Sequence, residues 1–83
     1  MKLLYFAWVR ERVGKAEEVL DPPANVTTVG ELMAHLAAQG DNYASAFGNS
    51  KFIRAAVDRT HVKHDTLIRG AGEIAFFPPM TGG

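Results

Sequence analysis

The sequence contains no cysteine, and this absence excludes several kinds of chemistry. Disulfide bonds, thiolate metal sites and iron–sulfur clusters all require cysteine, as does catalysis by a thiol of the chain itself. Disulfides are rare inside cells, so a chain without cysteine fits that compartment. We therefore expect a cytoplasmic protein that holds no metal through sulfur.

The chain also lacks an excess of charge of either sign. Lysine and arginine together number nine, as do aspartate and glutamate, so the formal net charge is zero. Proteins that bind nucleic acids or anionic membranes electrostatically carry a basic excess. We expect no nucleic acid and no membrane among the partners of this protein.

No apolar run in the sequence is long enough to cross a bilayer. The first such run covers residues 3–9, far short of the roughly 20 residues that a spanning helix needs. Charged residues follow it at once, and no cleavage site with small residues appears, so we do not expect a secretion signal. With 83 residues, of which 47% are hydrophobic, the chain has room for one core and one domain.

Residues 2–9 are rich in aromatic and branched side chains, which is typical of a β-strand. Alternation along a strand would place two apolar sets on opposite faces. One set contains Leu3, Tyr5, Ala7 and Val9, and the other contains Leu4, Phe6 and Trp8. Because only one face of a sheet covers the core of a small domain, we expect the second set to form an exposed apolar patch.

One helix is predicted with particular clarity. Thr28 and Glu31 have the spacing of a capping box, and the apolar residues that follow recur at helical spacing. These apolar residues are Leu32, Met33, Leu36 and Ala37. Gly40 is the predicted stop of the helix.

The remaining segments predict a small mixed sheet. We expect a turn over residues 10–15 with Gly14 at positive φ, and strands over residues 16–20, 52–57, 61–63 and 73–77. Residues 41–49 are expected to form one or two helical turns that carry Tyr43, Ala46 and Phe47 into the core. This order predicts an α+β fold, a ubiquitin-like β-grasp roll with its first and last strands adjacent in the middle.

The C-terminal residues are the most informative stretch of the sequence. The last predicted strand stops at Pro78 and Pro79, because proline has no N–H to give to a sheet. Two prolines favour an extended exit, and at about 3.3 Å per residue the last six residues reach roughly 20 Å. Gly82 and Gly83 have no Cβ, so they fit a channel too narrow for a side chain.

These features predict a β-grasp domain over residues 1–77 and an extended tail over residues 78–83. The tail comprises Pro78, Pro79, Met80, Thr81, Gly82 and Gly83. We predict that the tail threads into partner proteins and that the terminal carboxylate of Gly83 is the reacting group.

The two ends of the chain resemble the small subunit of molybdopterin synthase, a ubiquitin-like sulfur carrier. The resemblance lies in Leu4-Tyr5-Phe6-Ala7 and Val9-Arg10-Glu11 at the start and in Glu73-Ile-Ala-Phe-Phe-Pro-Pro-Met-Thr-Gly-Gly83 at the end. Thr28-Val-Gly-Glu-Leu32 and Ala55-Ala-Val-Asp58 add weaker likeness between them. Two residues depart from the pattern of the family, Trp8 at a commonly polar position and His61 at a commonly apolar one.

This resemblance implies a reaction cycle in molybdenum cofactor biosynthesis. An E1-like enzyme would use ATP to adenylate Gly83, and a sulfur donor or sulfurtransferase would convert the acyl adenylate to a thiocarboxylate. The large subunit of molybdopterin synthase would then use that sulfur on a pterin precursor. The chain itself is expected to bind no cofactor, and whether it counts as an enzyme is left open, since its partners would supply the catalytic groups.

A threading tail needs a docking surface, because ordering the tail is entropically unfavourable. We predict that Phe77 and Phe6 are neighbours in a partner interface, joined by Leu4 and Trp8. Arg10 is expected to pair with a partner carboxylate or to remain solvated, and His61 to lie at the rim of the interface.

Other functions remain open at this point. A sulfur carrier for thiazole biosynthesis and a ubiquitin-like protein modifier share the roll and the Gly-Gly end, and a plain interaction module would have an inert tail. His61 and His64 are three residues apart, which puts them on opposite faces of an extended segment, so we predict no metal site there.

Overall fold

The protein is a five-stranded mixed sheet with α-helices packed on one face, as seen in a computed structural model that describes residues 1–79. The strands are β1 Lys2–Tyr5, β2 Glu17–Val19, β3 Arg54–Val57, β4 Thr60–Val62 and β5 Glu73–Phe77. The helices are α1 Ala7–Val13, α2 Val29–Ala37 and α3 Asp41–Phe47, and a short 3-10 helix covers Ser50–Phe52.

The strand order is β2-β1-β5-β3-β4, which places β5 at the centre of the sheet. β1 and β5 run parallel, with Tyr5 opposite Phe76, and the other neighbouring strands are antiparallel. The predicted adjacency of the first and last strands is thus confirmed, as is the α+β class. Because β5 is central, the chain leaves the sheet from its middle.

Helix α2 begins as its sequence predicts. The Thr28 hydroxyl accepts the N–H of Glu31 at 3.1 Å, and the Glu31 carboxylate accepts the N–H of Thr28 at 3.1 Å, which completes the capping box. The predicted stop is wrong, because the helix ends at Ala37 and Gly40 instead precedes α3. Residues 38–40 connect α2 directly to α3.

The predicted first strand is wrong beyond Tyr5. Ala7 has a φ of 52°, in the left-handed region that ends a strand, and α1 begins there. Val9 and Val13 lie one helical turn apart and are both buried. Gly14, at a φ of 92°, caps the end of the helix, so its predicted positive φ is confirmed although the turn around it is helical.

The core lies between the helices and one face of the sheet. Phe76 of the central strand is fully buried, 6.2 Å from the ring of Tyr5 and 5.1 Å from that of Phe47. Ala46 is buried as predicted, while Tyr43 is half-buried. Three aromatic rings from β1, α3 and β5 therefore meet at the centre of the domain.

Glu18 joins the sheet to α3 through two tyrosines. Its carboxylate accepts hydrogen bonds from the hydroxyls of Tyr5 and Tyr43, each at 2.7 Å, and lies 3.5 Å from the Lys15 ammonium. Partial burial acts to raise the pKa of Glu18, but these hydrogen bonds and the charge of Lys15 outweigh it, so the pKa is lowered below its usual 4.5.

We expect the stabilisation by Glu18 to be lost in acid. A lowered folded-state pKa means that the contribution, about 1 kcal/mol, is present above pH 4.5 and disappears as the pH falls through the folded pKa. Urea unfolding of the wild type and of Glu18→Gln across this range should show a steeper acid loss in the wild type. Glu11→Gln, an exposed change on α1, is the control. Equal pH slopes in the wild type and Glu18→Gln would contradict the assignment.

Candidate functional site at the root of the tail

The sheet face opposite the helices carries a strip of apolar side chains. Cross-strand register places Leu4 beside Ala75, Ala75 beside Ala56, and Ala56 beside His61. Since paired residues share a face, we define the open sheet face as Leu4, Arg54, Ala56, His61, Ala75 and Phe77. Leu4, Ala56, Ala75 and Phe77 are half-buried, and the other two are exposed.

Phe77 ends both β5 and the open sheet face. Its ring lies 5.5 Å from the imidazole of His61, at an angle of 57°. Pro78 and Pro79 follow it, belong to no helix or strand, and are half-buried. The sequence places the tail directly after this aromatic pair.

Phe6 lies at the same end of the sheet as Phe77. It follows Tyr5 on the strand parallel to β5, and its N–H donates to the carbonyl of Phe76 at 3.1 Å. The side chain is 46% exposed, which makes Phe6 one of the exposed large apolar residues of the domain. Its predicted place in a partner interface stays a prediction.

Trp8 was predicted to lie on the same strand face as Leu4. This prediction is wrong, because Trp8 belongs to α1. The side chain packs partly against the core, and the guanidinium of Arg12 lies 4.6 Å from its ring. Arg12 also donates to the carbonyl of Ser45 at 3.2 Å, which holds it over the indole. Arg10 is exposed on the same helix, and its predicted pairing with a partner carboxylate stays a prediction.

A groove of about 420 Å³ lies where the tail leaves the domain. We call it the tail-root groove, and its lining is Trp8, Arg12, Asn49, Phe52, Pro78 and Pro79. Phe52 is 50% exposed, and the 3-10 helix holds it outside the strand in which it was predicted. The groove joins one predicted interface residue, Trp8, to the root of the predicted tail.

Sequence reasoning missed Arg12, Asn49 and Phe52. Arg12 approaches the prolines from α1 and Phe52 from the 3-10 helix, neither of which was predicted, and Asn49 directly precedes that 3-10 helix. The i, i+4 spacing of Val9 and Val13, both of which are buried, is the sequence signal that points to α1. It would also have placed Arg12 one turn after Trp8, where a cation–π contact forms readily.

The predicted reacting group lies outside the described residues. Met80, Thr81, Gly82 and Gly83 follow the last described residue, Pro79. Their roles in threading and acyl transfer stay predictions from the sequence.

Within residues 1–79, no three His, Cys, Asp or Glu side chains are grouped so that they could hold a metal ion. His64 donates from Nε2 to the carbonyl of Ile53 at 2.7 Å, while His61 faces Phe77. The same described part of the chain has no helix with the length and apolar character needed to cross a membrane.

Residues 3–83 match the ThiS family. The chain belongs to the ThiS family. It is 43% identical over 83 residues to the molybdopterin synthase sulfur carrier subunit of Escherichia coli (strain K12), covering 100% of this chain and 99% of that protein. The subunit of the same description from Haemophilus influenzae is 37% identical over 84 residues, with coverage of 100% and 99%. The predicted family resemblance is confirmed.

Two solved structures share the fold. SAMP1 from Haloferax volcanii superposes with a TM-score of 0.73 at 23% identity, covering 100% of this chain and 98% of that one. A putative molybdopterin converting factor, subunit 1, from Pyrococcus furiosus gives a TM-score of 0.67 at 21% identity, with 94% of each chain covered. These likenesses confirm the ubiquitin-like β-grasp fold of this ThiS family member.

Proposed function

We propose that this chain is the sulfur-carrying small subunit of molybdopterin synthase and that Gly83 carries the sulfur as a thiocarboxylate. The observation that supports this most strongly is the 43% identity, over the whole length of both proteins, to a molybdopterin synthase sulfur carrier subunit. The strand that ends at Phe77, directly before Pro78 and Pro79, and the Gly-Gly end agree with it.

The chemistry of a terminal carboxylate explains why such a carrier needs activation. With a pKa of about 3.5, the group is ionised at neutral pH and resists nucleophiles. An E1-like partner would join the Gly83 carboxylate to AMP and release pyrophosphate from ATP. Sulfide supplied by a donor would then attack the Gly83 carbonyl carbon and displace AMP, which leaves Gly83 as a thiocarboxylate.

We assign the catalytic groups to the partners. The tail, residues 78–83, consists of proline, methionine, threonine and glycine, so it offers no ionisable side chain beside the reacting carbon. In the large subunit of molybdopterin synthase, the ionised thiocarboxylate would donate its sulfur to a pterin precursor. We place these reactions in the cytoplasm, where ATP and reduced sulfur donors are available.

The two surfaces at the root of the tail suit a docking role. The open sheet face and the tail-root groove both adjoin β5 where the chain turns into Pro78. Phe6 and Phe52 are large apolar side chains about half exposed near this end, which is typical of partner-binding surfaces. Docking there would place the tail at the mouth of a partner's active site.

Intact-mass measurement tests the proposal. Protein purified from its native host, or incubated with its activating enzyme, ATP and a sulfide source, is expected to gain the mass of one oxygen-to-sulfur exchange at Gly83. Omission of ATP is the control, because the exchange depends on adenylation. Branched lysine adducts of Gly83 on other proteins would instead indicate a protein modifier, and an unchanged mass in the complete reaction would contradict sulfur carriage.

A further inference from the structure

A basic groove of about 550 Å³ lies beside the open sheet face, along β3 and β4. Its lining is Lys51, Arg54, His61, Val62, Lys63 and His64, with no aspartate or glutamate among them. Lys51 comes from the 3-10 helix, Arg54 from β3 and Lys63 from the residue after β4. Three elements therefore bring cations together in a chain whose net charge is zero.

The basic groove is continuous with the end of the sheet from which the tail leaves. Arg54 lies directly opposite Phe77 in the pairing of β3 with β5, and His61 contacts the Phe77 ring. A protein that covers Phe77 and receives the tail would therefore also reach the basic groove.

The cations of the groove are not neutralised within the described part of the chain. Its ion pairs join Lys2 to Glu17 at 2.9 Å and Lys15 to Glu18 at 3.5 Å, both at the β2 edge of the sheet. Lys51, Arg54 and Lys63 are exposed at the opposite side. The side of the sheet with the basic groove is therefore positively charged. The anions that balance this charge must come from another molecule or from the solvent.

We infer that this groove binds an acidic segment of the large synthase subunit, whose aspartate or glutamate carboxylates pair with Lys51, Arg54 and Lys63. The inference rests on the proposed function for the identity of the partner. Three exposed cations on separate elements suit carboxylates spaced along a polypeptide. A phosphate cradle would instead place backbone N–H groups of a helix start or glycine loop in the lining, and this lining has no glycine.

Such a surface would act mainly on the rate of association. Charges at the rim of an interface attract a complementary partner over distances comparable to the Debye length, and salt weakens that attraction. Exposed ion pairs add little to affinity once the complex is formed. The expected signature is a salt-dependent association rate rather than a change in sulfur chemistry.

The test uses Lys51→Glu with Lys63→Glu in the full chain, and Arg59→Glu with Arg69→Glu as a control of equal charge change. Both control residues are exposed near the opposite end of β5 from the tail, Arg59 beside Glu73 and Arg69 in the loop before that strand. Stopped-flow association with the large subunit from the same organism would be measured at ionic strengths of about 0.01 M and about 1 M.

At low salt, we expect the groove variant to associate about tenfold or more slowly than the wild type, and the two to converge at high salt. The control pair should remain near the wild-type rate. Equal rates for the groove variant and the wild type at low salt would overturn the inference. So would binding of inorganic phosphate in the groove, followed by NMR, that outcompetes the large subunit.

Sulfur transfer at saturating large subunit separates this inference from the proposed function. If the groove variant transfers sulfur as fast as the wild type once bound, the basic groove acts in docking as inferred. If the two associate at equal rates while both transfer sulfur, the inference fails and the function stands. If the wild type associates but transfers no sulfur, the proposed function fails.

Discussion

Deletion of Gly83 is expected to abolish sulfur transfer while the domain stays folded. The deletion moves the terminal carboxylate back by one residue, about 3.3 Å along an extended chain. Reacting groups held in place by a partner lose about 100-fold in rate for a displacement of 1 Å, so we expect at least that loss. Single-turnover transfer with the large subunit and a thiocarboxylated chain would measure it.

Two controls test whether the Gly83 deletion leaves folding and partner binding intact. The thermal unfolding of the deletion variant should match that of the wild type, because the core lies within residues 3–76. Binding to the large subunit should persist, because the residues of the open sheet face and the tail-root groove, the proposed docking surfaces, all precede Met80. Sulfur transfer at a near wild-type rate after the deletion would rule out Gly83 as the carrier of the sulfur.

Phe76→Ala is expected to have the largest effect on stability, a loss of about 3–5 kcal/mol in the free energy of unfolding. Phe76 is fully buried in the central strand and packs against the rings of Tyr5 and Phe47. Domains of this size have a total stability of roughly 4–12 kcal/mol, so the variant is expected to be marginally folded. Urea unfolding followed by circular dichroism would give the change.

Phe77→Ala is the matched control, since it removes the same ring from the next residue of the strand. Phe77 points to the open sheet face and is half-buried, so we expect a loss of only about 1 kcal/mol. The same variant should bind the large subunit more weakly, in keeping with the predicted interface. Equal destabilisation by the two substitutions would contradict the assignment of the two faces.

The parts of the fold that follow from local chemistry were predictable from the sequence. The Thr28–Glu31 capping box determined where α2 begins, and the apolar residues Leu32, Met33 and Leu36 that follow it at helical spacing are buried. The prolines after Phe77 correctly predicted the end of β5. In each case residues close in sequence carry the decisive interaction.

The first helix was not predicted because its signal is ambiguous. Residues 3–9 are apolar on both faces of a strand, and a short run of this kind also suits a buried helix. The strand ends because Ala7 adopts a left-handed backbone conformation. An alanine in the sequence does not indicate that conformation in advance. Because the residues of α1 were predicted as strand and turn, Trp8 was placed on the open sheet face beside Leu4, and the tail-root groove was not predicted.

The candidate site was predictable only in part. The adjacency of β1 and β5 was correctly predicted, and it brings Phe6 and Phe77 to the same end of the sheet, while their place in a partner interface stays a prediction. The basic groove combines residues from three elements, and no spacing in the sequence brings Lys51 close to Lys63. Such a cluster depends on sheet register, which the sequence specifies only through the folded core.

Under the proposed function, in which partners draw in and release the tail, the central position of β5 has a mechanical consequence. A force applied at Pro78 acts on β5, which is hydrogen-bonded to β1 on one side and to β3 on the other. The load is therefore shared by two ladders of hydrogen bonds, whereas a strand at the edge of the sheet would share it with only one. The domain is thus suited to stay folded while its tail is pulled.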